Sequence, residues 1–134
     1  MSVAIRYYSR SGNTKKVAEA MAKAAGVKAI SVDIPGSQIR NPVDVLFIGG
    51  ALYLYGIDSH LMEFLEALPE KNVKKAVVFS TSMISKHALS IIRKKLIDKG
   101  IPVEEDTFYG RGTPNSEKLK EAEKFAAKHL GKKE

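Results

Sequence analysis

Ser9-Arg10-Ser11-Gly12-Asn13-Thr14 is the stretch on which the reading of this chain turns. It follows an apolar-alternating run, Val3-Ala4-Ile5-Arg6-Tyr7-Tyr8, and precedes an amphipathic run over 15–25. The order is strand, hydroxyl-rich turn, helix start. Such a turn makes a cradle for an anion. The first N–H groups of a helix have no intrahelical partner and carry partial positive charge. Ser9, Ser11 and Thr14 offer hydroxyls and Asn13 an amide as further donors to phosphate oxygens. Gly12 lets the backbone approach closely and take up positive φ. Read alone, the turn would be an ordinary helix cap. Its place between a strand and a helix favours the phosphate cradle.

Working outward, strand and helix signals alternate along the chain, which predicts a parallel sheet covered on both faces. Strands are expected near 3–9, 28–33, 44–49, 75–80 and 102–108. Helices are expected near 15–25, 59–67, 86–99 and 116–130. In the first helix Val17, Ala18, Met21, Ala22 and Ala25 share a face, and Gly26 ends it. In the third, Leu89, Ile92, Leu96 and Ile97 are expected inward. The crossover over 34–42 contains Pro35-Gly36-Ser37 and is too short for a full helix. Lys132-Lys133-Glu134 are expected to fray.

Composition narrows the function classes. The 134 residues fit one domain with a sizeable core, and 44% are apolar. There is no cysteine, so disulfides, iron–sulfur ligation and thiol nucleophiles are excluded. His60, His87 and His129 lie far apart and show no metal-ligand spacing. No apolar run reaches the length of a membrane span and no signal-peptide pattern opens the chain, so a cytoplasmic protein is the expectation. The formal net charge is +7. A positive surface favours anionic ligands and acidic partners. The basic residues are dispersed and no RNA-binding aromatic motif accompanies them, which argues against nucleic acid.

The pattern hydroxyl-x-hydroxyl-Gly-Asn-Thr after the first strand resembles the FMN phosphate loop of flavodoxins. The resemblance covers the whole chain in element order. It implies a three-layer, doubly wound α/β fold with a parallel five-stranded sheet in the order 2-1-3-4-5, FMN as a non-covalent cofactor, and residues 9–14 around its phosphate. It also implies roles for the loops that leave strands three and four. Gly50, Ala51, Tyr53, Tyr55 and Gly56 are expected near the flavin ring, with Tyr55 preferred over Tyr53 for stacking. The Tyr55-Gly56 peptide is the one expected to change conformation beside the ring. Thr81, Ser82 and Met83 are expected at the polar edge of the ring, in a loop without the aromatic usual in the family. Arg111, Lys86, His87 and His60 are weaker candidates, each read first as a surface or structural residue.

The function this implies is electron transfer between redox partner proteins, which needs no catalytic side chain. The alternative is an FMN-dependent oxidoreductase acting on a quinone or a porphyrin-type molecule. A third reading is a flavin-free domain for another phosphate ligand. Phosphoacceptor receiver domains share the fold but need acidic residues where this chain has Ser9-Arg10 and Gly49-Gly50. Oligomeric state is not legible.

Overall fold

Five parallel strands form one sheet in the order β2-β1-β3-β4-β5: β1 Val3–Tyr7, β2 Ala29–Ser31, β3 Val45–Ala51, β4 Ala76–Thr81 and β5 Phe108–Gly110. Among the described residues four α-helices flank it: α1 Asn13–Ala25, α2 Ser59–Ala67, α3 His87–Asp98 and α4 Ser116–His129. The structure is a computed structural model that describes residues 1–131 except Tyr55 and Ile84. The expected 2-1-3-4-5 fold is the one observed.

The central strands read Val-Leu-Phe-Ile and Ala-Val-Val-Phe because both of their faces are covered. Successive side chains point to opposite faces. Leu46, Ile48 and Val78 therefore pack with Leu61 and Leu65 of α2 and Ile92 and Leu96 of α3. Phe47, Val77 and Phe79 pack on the other face with Val17 and Met21 of α1 and Ala122 and Ala126 of α4. Gly49 and Gly50 belong to the same packing. A β-carbon on Gly49 would lie 2.4 Å from the Phe79 ring, and one on Gly50 would lie 2.5 Å from Leu61 Cδ2.

The chain reverses direction after β2. It returns across β1 to β3, so the carboxyl ends of β1 and β3 open a crevice. The crossover that makes this return contains no helix among its residues. Arg6 of β1 fastens it from below, donating from Nε to the Ser37 carbonyl at 2.6 Å. The Ser37 hydroxyl donates to Val32 O at 2.9 Å, and Asn72 Nδ2 donates to Ile39 O at 2.9 Å.

Two expectations are corrected. The fifth strand does not occupy 102–108. Val103 makes one bridge to Ala76, which the Glu104 N–H completes on Ala76 O at 2.9 Å, and pairing resumes only at Phe108 opposite Phe79. Ile97 is 52% exposed rather than inward, because it lies about 100° around the helix from its neighbour Leu96. Lys132-Lys133-Glu134 lie outside the described residues.

Candidate functional site

Four loops meet at the carboxyl edge of the sheet. The register Ala51↔Thr81↔Gly110 sets the loops after β3, β4 and β5 side by side. The turn between β1 and α1 completes the group. Gly12 is the residue that starts α1, with φ 94° in the left-handed region, and a β-carbon there would meet nothing within 4 Å. The N-cap Gly12 has no side chain to bond the first turn of α1, whose first intrahelical bond is Lys16 N–H to Gly12 O at 3.1 Å. The Thr14 and Lys15 N–H groups precede that bond. The Ser9 hydroxyl accepts from Gly12 N at 2.9 Å, and the Ser11 hydroxyl accepts from Asn13 N at 3.3 Å. The turn is thus held in a shape that leaves open space over Gly12 and amide donors beside it.

Thr14 differs from the expectation. It is 1% exposed, and its hydroxyl pairs with the Thr81 hydroxyl at 2.6 Å. That bond spans 67 positions and joins the root of the first loop to the end of β4. The Thr14 side chain thus ties two loops together, whichever hydroxyl donates.

Arg10 is directed to the second loop. Its Nε and Nη2 donate to Asp58 Oδ2 at 2.9 and 2.5 Å. Its guanidinium carbon stands 3.9 Å from the centre of the Tyr53 ring. Asp58 also caps α2, accepting from the His60 N–H at 2.8 Å, and it meets His60 Nδ1 at 2.8 Å. The His60 ring stacks on Tyr8 with centroids 4.7 Å apart. Burial pushes the Asp58 carboxyl up, but the His60 N–H, the His60 ring and the Arg10 guanidinium together hold it below its ordinary value. Asp58 and Arg6 went unrecognised as organising residues in the sequence. Asp58 could have been read as the N-cap of the 59–67 helix, but its tie to Arg10 spans 48 positions and has no local signal.

The second loop turns tightly at Tyr53 and Gly56, which exchange backbone hydrogen bonds of 2.7 and 3.0 Å. Gly56 has φ 117°, a value that side chains rarely accept. Tyr53 is half-buried under Arg10, and burial pushes its phenol up. Leu54 at the tip is 97% exposed. The expected stacking of Tyr55 falls outside the described residues. Ala51 ends β3 at the rim. What keeps a side chain off Gly50 is Leu61 of α2. In the third loop, Ser82 N donates to Gly110 O at 3.1 Å, and the Tyr109 hydroxyl donates to Ser82 O at 2.8 Å. Met83 is 65% exposed, and its sulfur lies 2.9 Å from where a Gly112 β-carbon would stand. Arg111, Lys86 and His87 are exposed. Among the described residues no cluster suits a metal ion, and no helix is long and apolar enough to cross a membrane.

An open glycine turn leading into a helix at the switch point of a doubly wound sheet defines the class. The family model for the flavodoxin domain matches residues 4–134, and the chain belongs to that family. The family's cofactor is FMN, bound without a covalent link. Among solved structures, a flavodoxin from the domain Archaea aligns with a TM-score of 0.81 at 20% identity, over 96% of this chain and 95% of that one. Oxidised flavodoxin 1 from Bacillus cereus aligns at 0.77 and 20% identity, over 96% and 97%. The rubredoxin oxygen:oxidoreductase of Desulfovibrio gigas aligns at 0.79 and 18% identity, over 92% of this chain but only 34% of that one. These likenesses concern the fold. No curated protein matches.

The residues present fit the cofactor. The space over Gly12, which a β-carbon would enter unopposed, is where a phosphate can approach the helix amides. Replacement of Tyr53 by alanine is expected to remove the aromatic surface under Arg10, weaken flavin binding several-fold and raise bound-flavin fluorescence. The same replacement of Tyr55 is expected to have the larger effect. Emission measured on the two variants loaded with FMN checks this. Unchanged emission in both would place the ring elsewhere.

Proposed function

We propose that the chain is an electron carrier between redox partner proteins, with FMN in the crevice between β1 and β3. The observation that carries this reading is the glycine-started α1 behind a turn held by the Ser9 and Ser11 hydroxyls, with open space over Gly12. When bound, FMN supplies the redox chemistry, and the protein positions and tunes it. The Thr14 and Lys15 N–H groups and the side chains of Ser9, Ser11 and Asn13 would hold the phosphate. Tyr53, Tyr55 and the Gly56 backbone would flank one side of the ring, and Thr81, Ser82 and Met83 the other loop. Gly50 and Ala51 would bring β3 up to the rim. Arg10 stays with Asp58, so it shapes the crevice wall more than it neutralises phosphate.

The acid–base groups near the crevice are tied to one another. Among the described residues, Asp58 is engaged by both Arg10 and His60. That suits a carrier. A second reading, an oxidoreductase acting on a quinone or porphyrin-type molecule, draws on the exposed Leu54 and Met83, which would offer such a molecule an apolar rim. Turnover separates the two. A carrier does not reduce a quinone from NAD(P)H without a reductase protein, whereas an oxidoreductase does so alone.

With +7 charges the carrier would meet partners through acidic surfaces. The same field stabilises the negative charge gained on full reduction. The potential of the second electron is therefore expected to be less negative than in acidic flavodoxins, and to become more negative as salt screens the field. Spectroelectrochemical titration at several ionic strengths measures it. A strongly negative second potential that ignores salt would contradict this part of the account.

A further inference from the structure

The reduced crossover leaves a cavity lined by residues of β1, of β2 and its approach, and of the crossover itself. Its volume is about 360 Å³. Three cations line it, Arg6, Lys28 and Arg40, and no carboxylate does. Val27, Ile30 and Val43 give it an apolar wall.

Arg6 is the unusual member. It sits within a central strand and is 9% exposed. Burying a charge is costly unless an opposite charge or a full set of hydrogen bonds compensates it. Arg6 has neither. Nε donates to Ser37 O at 2.6 Å and Nη1 to Ile5 O at 3.1 Å, both neutral carbonyls. Two of the five guanidinium N–H donors are thereby used and three remain. Nη2 is not among the sealed, unsatisfied atoms of the described residues, and Arg6 is one of the residues that line the cavity. Burial alone holds the guanidinium below the ordinary arginine value, with no carboxylate acting against it.

We propose that this cavity binds a small organic carboxylate, its charged end on the Nη1–Nη2 edge of Arg6 and its carbon body on Val27, Ile30 and Val43. The open edge of a guanidinium matches a planar carboxylate with two parallel hydrogen bonds. Lys28 and Arg40 at the mouth add the field that draws an anion in. Inorganic phosphate shares the charge but has nothing to place on the apolar wall. A neutral amide of the same shape shares the body but not the charge.

Benzoate, benzamide and inorganic phosphate distinguish these terms. Each is titrated into the FMN-loaded protein while amide shifts of residues 27–30 and 38–43 and the flavin absorption band are followed. Benzoate is expected to saturate, with an affinity at least tenfold above that of benzamide and of phosphate, and to leave the flavin band unmoved. Arg6→Met is expected to abolish saturation. Because that variant also loses the Ser37 anchor and can fail to fold, the Lys28→Gln/Arg40→Gln double variant is the second arm, with an expected tenfold loss at low salt. Any of four results would overturn the proposal: no saturation by benzoate, equal binding of phosphate or benzamide, indifference to the double replacement, or a benzoate-induced change in the flavin band.

Discussion

Alanine at Gly49 is expected to destabilise the protein by about 3 kcal/mol, near the upper end of what overpacking a tight core costs. Gly49 lies in the middle of the sheet opposite Phe79. The added methyl would fall 2.4 Å from Phe79 Cδ2 and 2.5 Å from the Phe79 carbonyl oxygen. The ring is fully buried between strands and helices and has no room to turn away. The carbonyl belongs to the β4 backbone, so relief requires β3 and β4 to separate. For a chain of this length the melting temperature should fall by roughly 10 °C. Calorimetry of the variant and parent, both loaded with FMN, makes the measurement. A change below about 0.5 kcal/mol would mean that β3 and β4 are not packed in this register.

Asp58→Ala is the second large effect. It removes the cap of α2, the partner of Arg10 and the acceptor of His60 together. Cap loss typically costs about 1 kcal/mol, and a buried charge-assisted hydrogen bond about 1.5–3 kcal/mol. Arg10 is partly exposed and can turn to water, so the total is expected near 3 kcal/mol rather than the sum of every contact. Asp58→Asn keeps the cap and should recover about a third of it. The pH dependence carries the sign of a depressed carboxyl. Folding holds Asp58 below its ordinary value, so its contribution is present above the unfolded value and is lost as pH falls through the folded one. Denaturant midpoints of parent and Asp58→Ala should therefore differ at neutral pH and converge in acid. A constant difference across that range would mean that the carboxylate charge plays no part.

The sequence was most legible where chemistry and periodicity agreed. The 59–67 helix was read closely, because an apolar stripe ends there before Pro69, although its N-cap Asp58 was not read from the sequence. The strand-turn-helix around Gly12 was legible too, although the helix begins two residues earlier than its amphipathic run. A left-handed glycine turns the chain straight into the first helical residue, Asn13. Less was legible where partners are distant. A polar position in an alternating strand reads as solvent-facing, yet Arg6 lies beneath the crossover because both faces of β1 are covered. Thr14 reads as a phosphate donor from its motif, and nothing within the turn reveals that Thr81 takes its hydroxyl. The short β5 was misread because Val103 and Phe108 are both apolar, while pairing lapses between them.

A phosphate-centred cofactor site is tested by titration of the flavin-free protein with FMN and with riboflavin. The two ligands share the ring and differ in the phosphate. If the turn over Ser9, Ser11, Gly12 and Asn13 holds the anion on the α1 amides, FMN should bind at least about a hundredfold more tightly, on the order of 3 kcal/mol from two or so charge-assisted hydrogen bonds. Equal affinities would rule out a phosphate-centred site, since the ring would then be held without the turn.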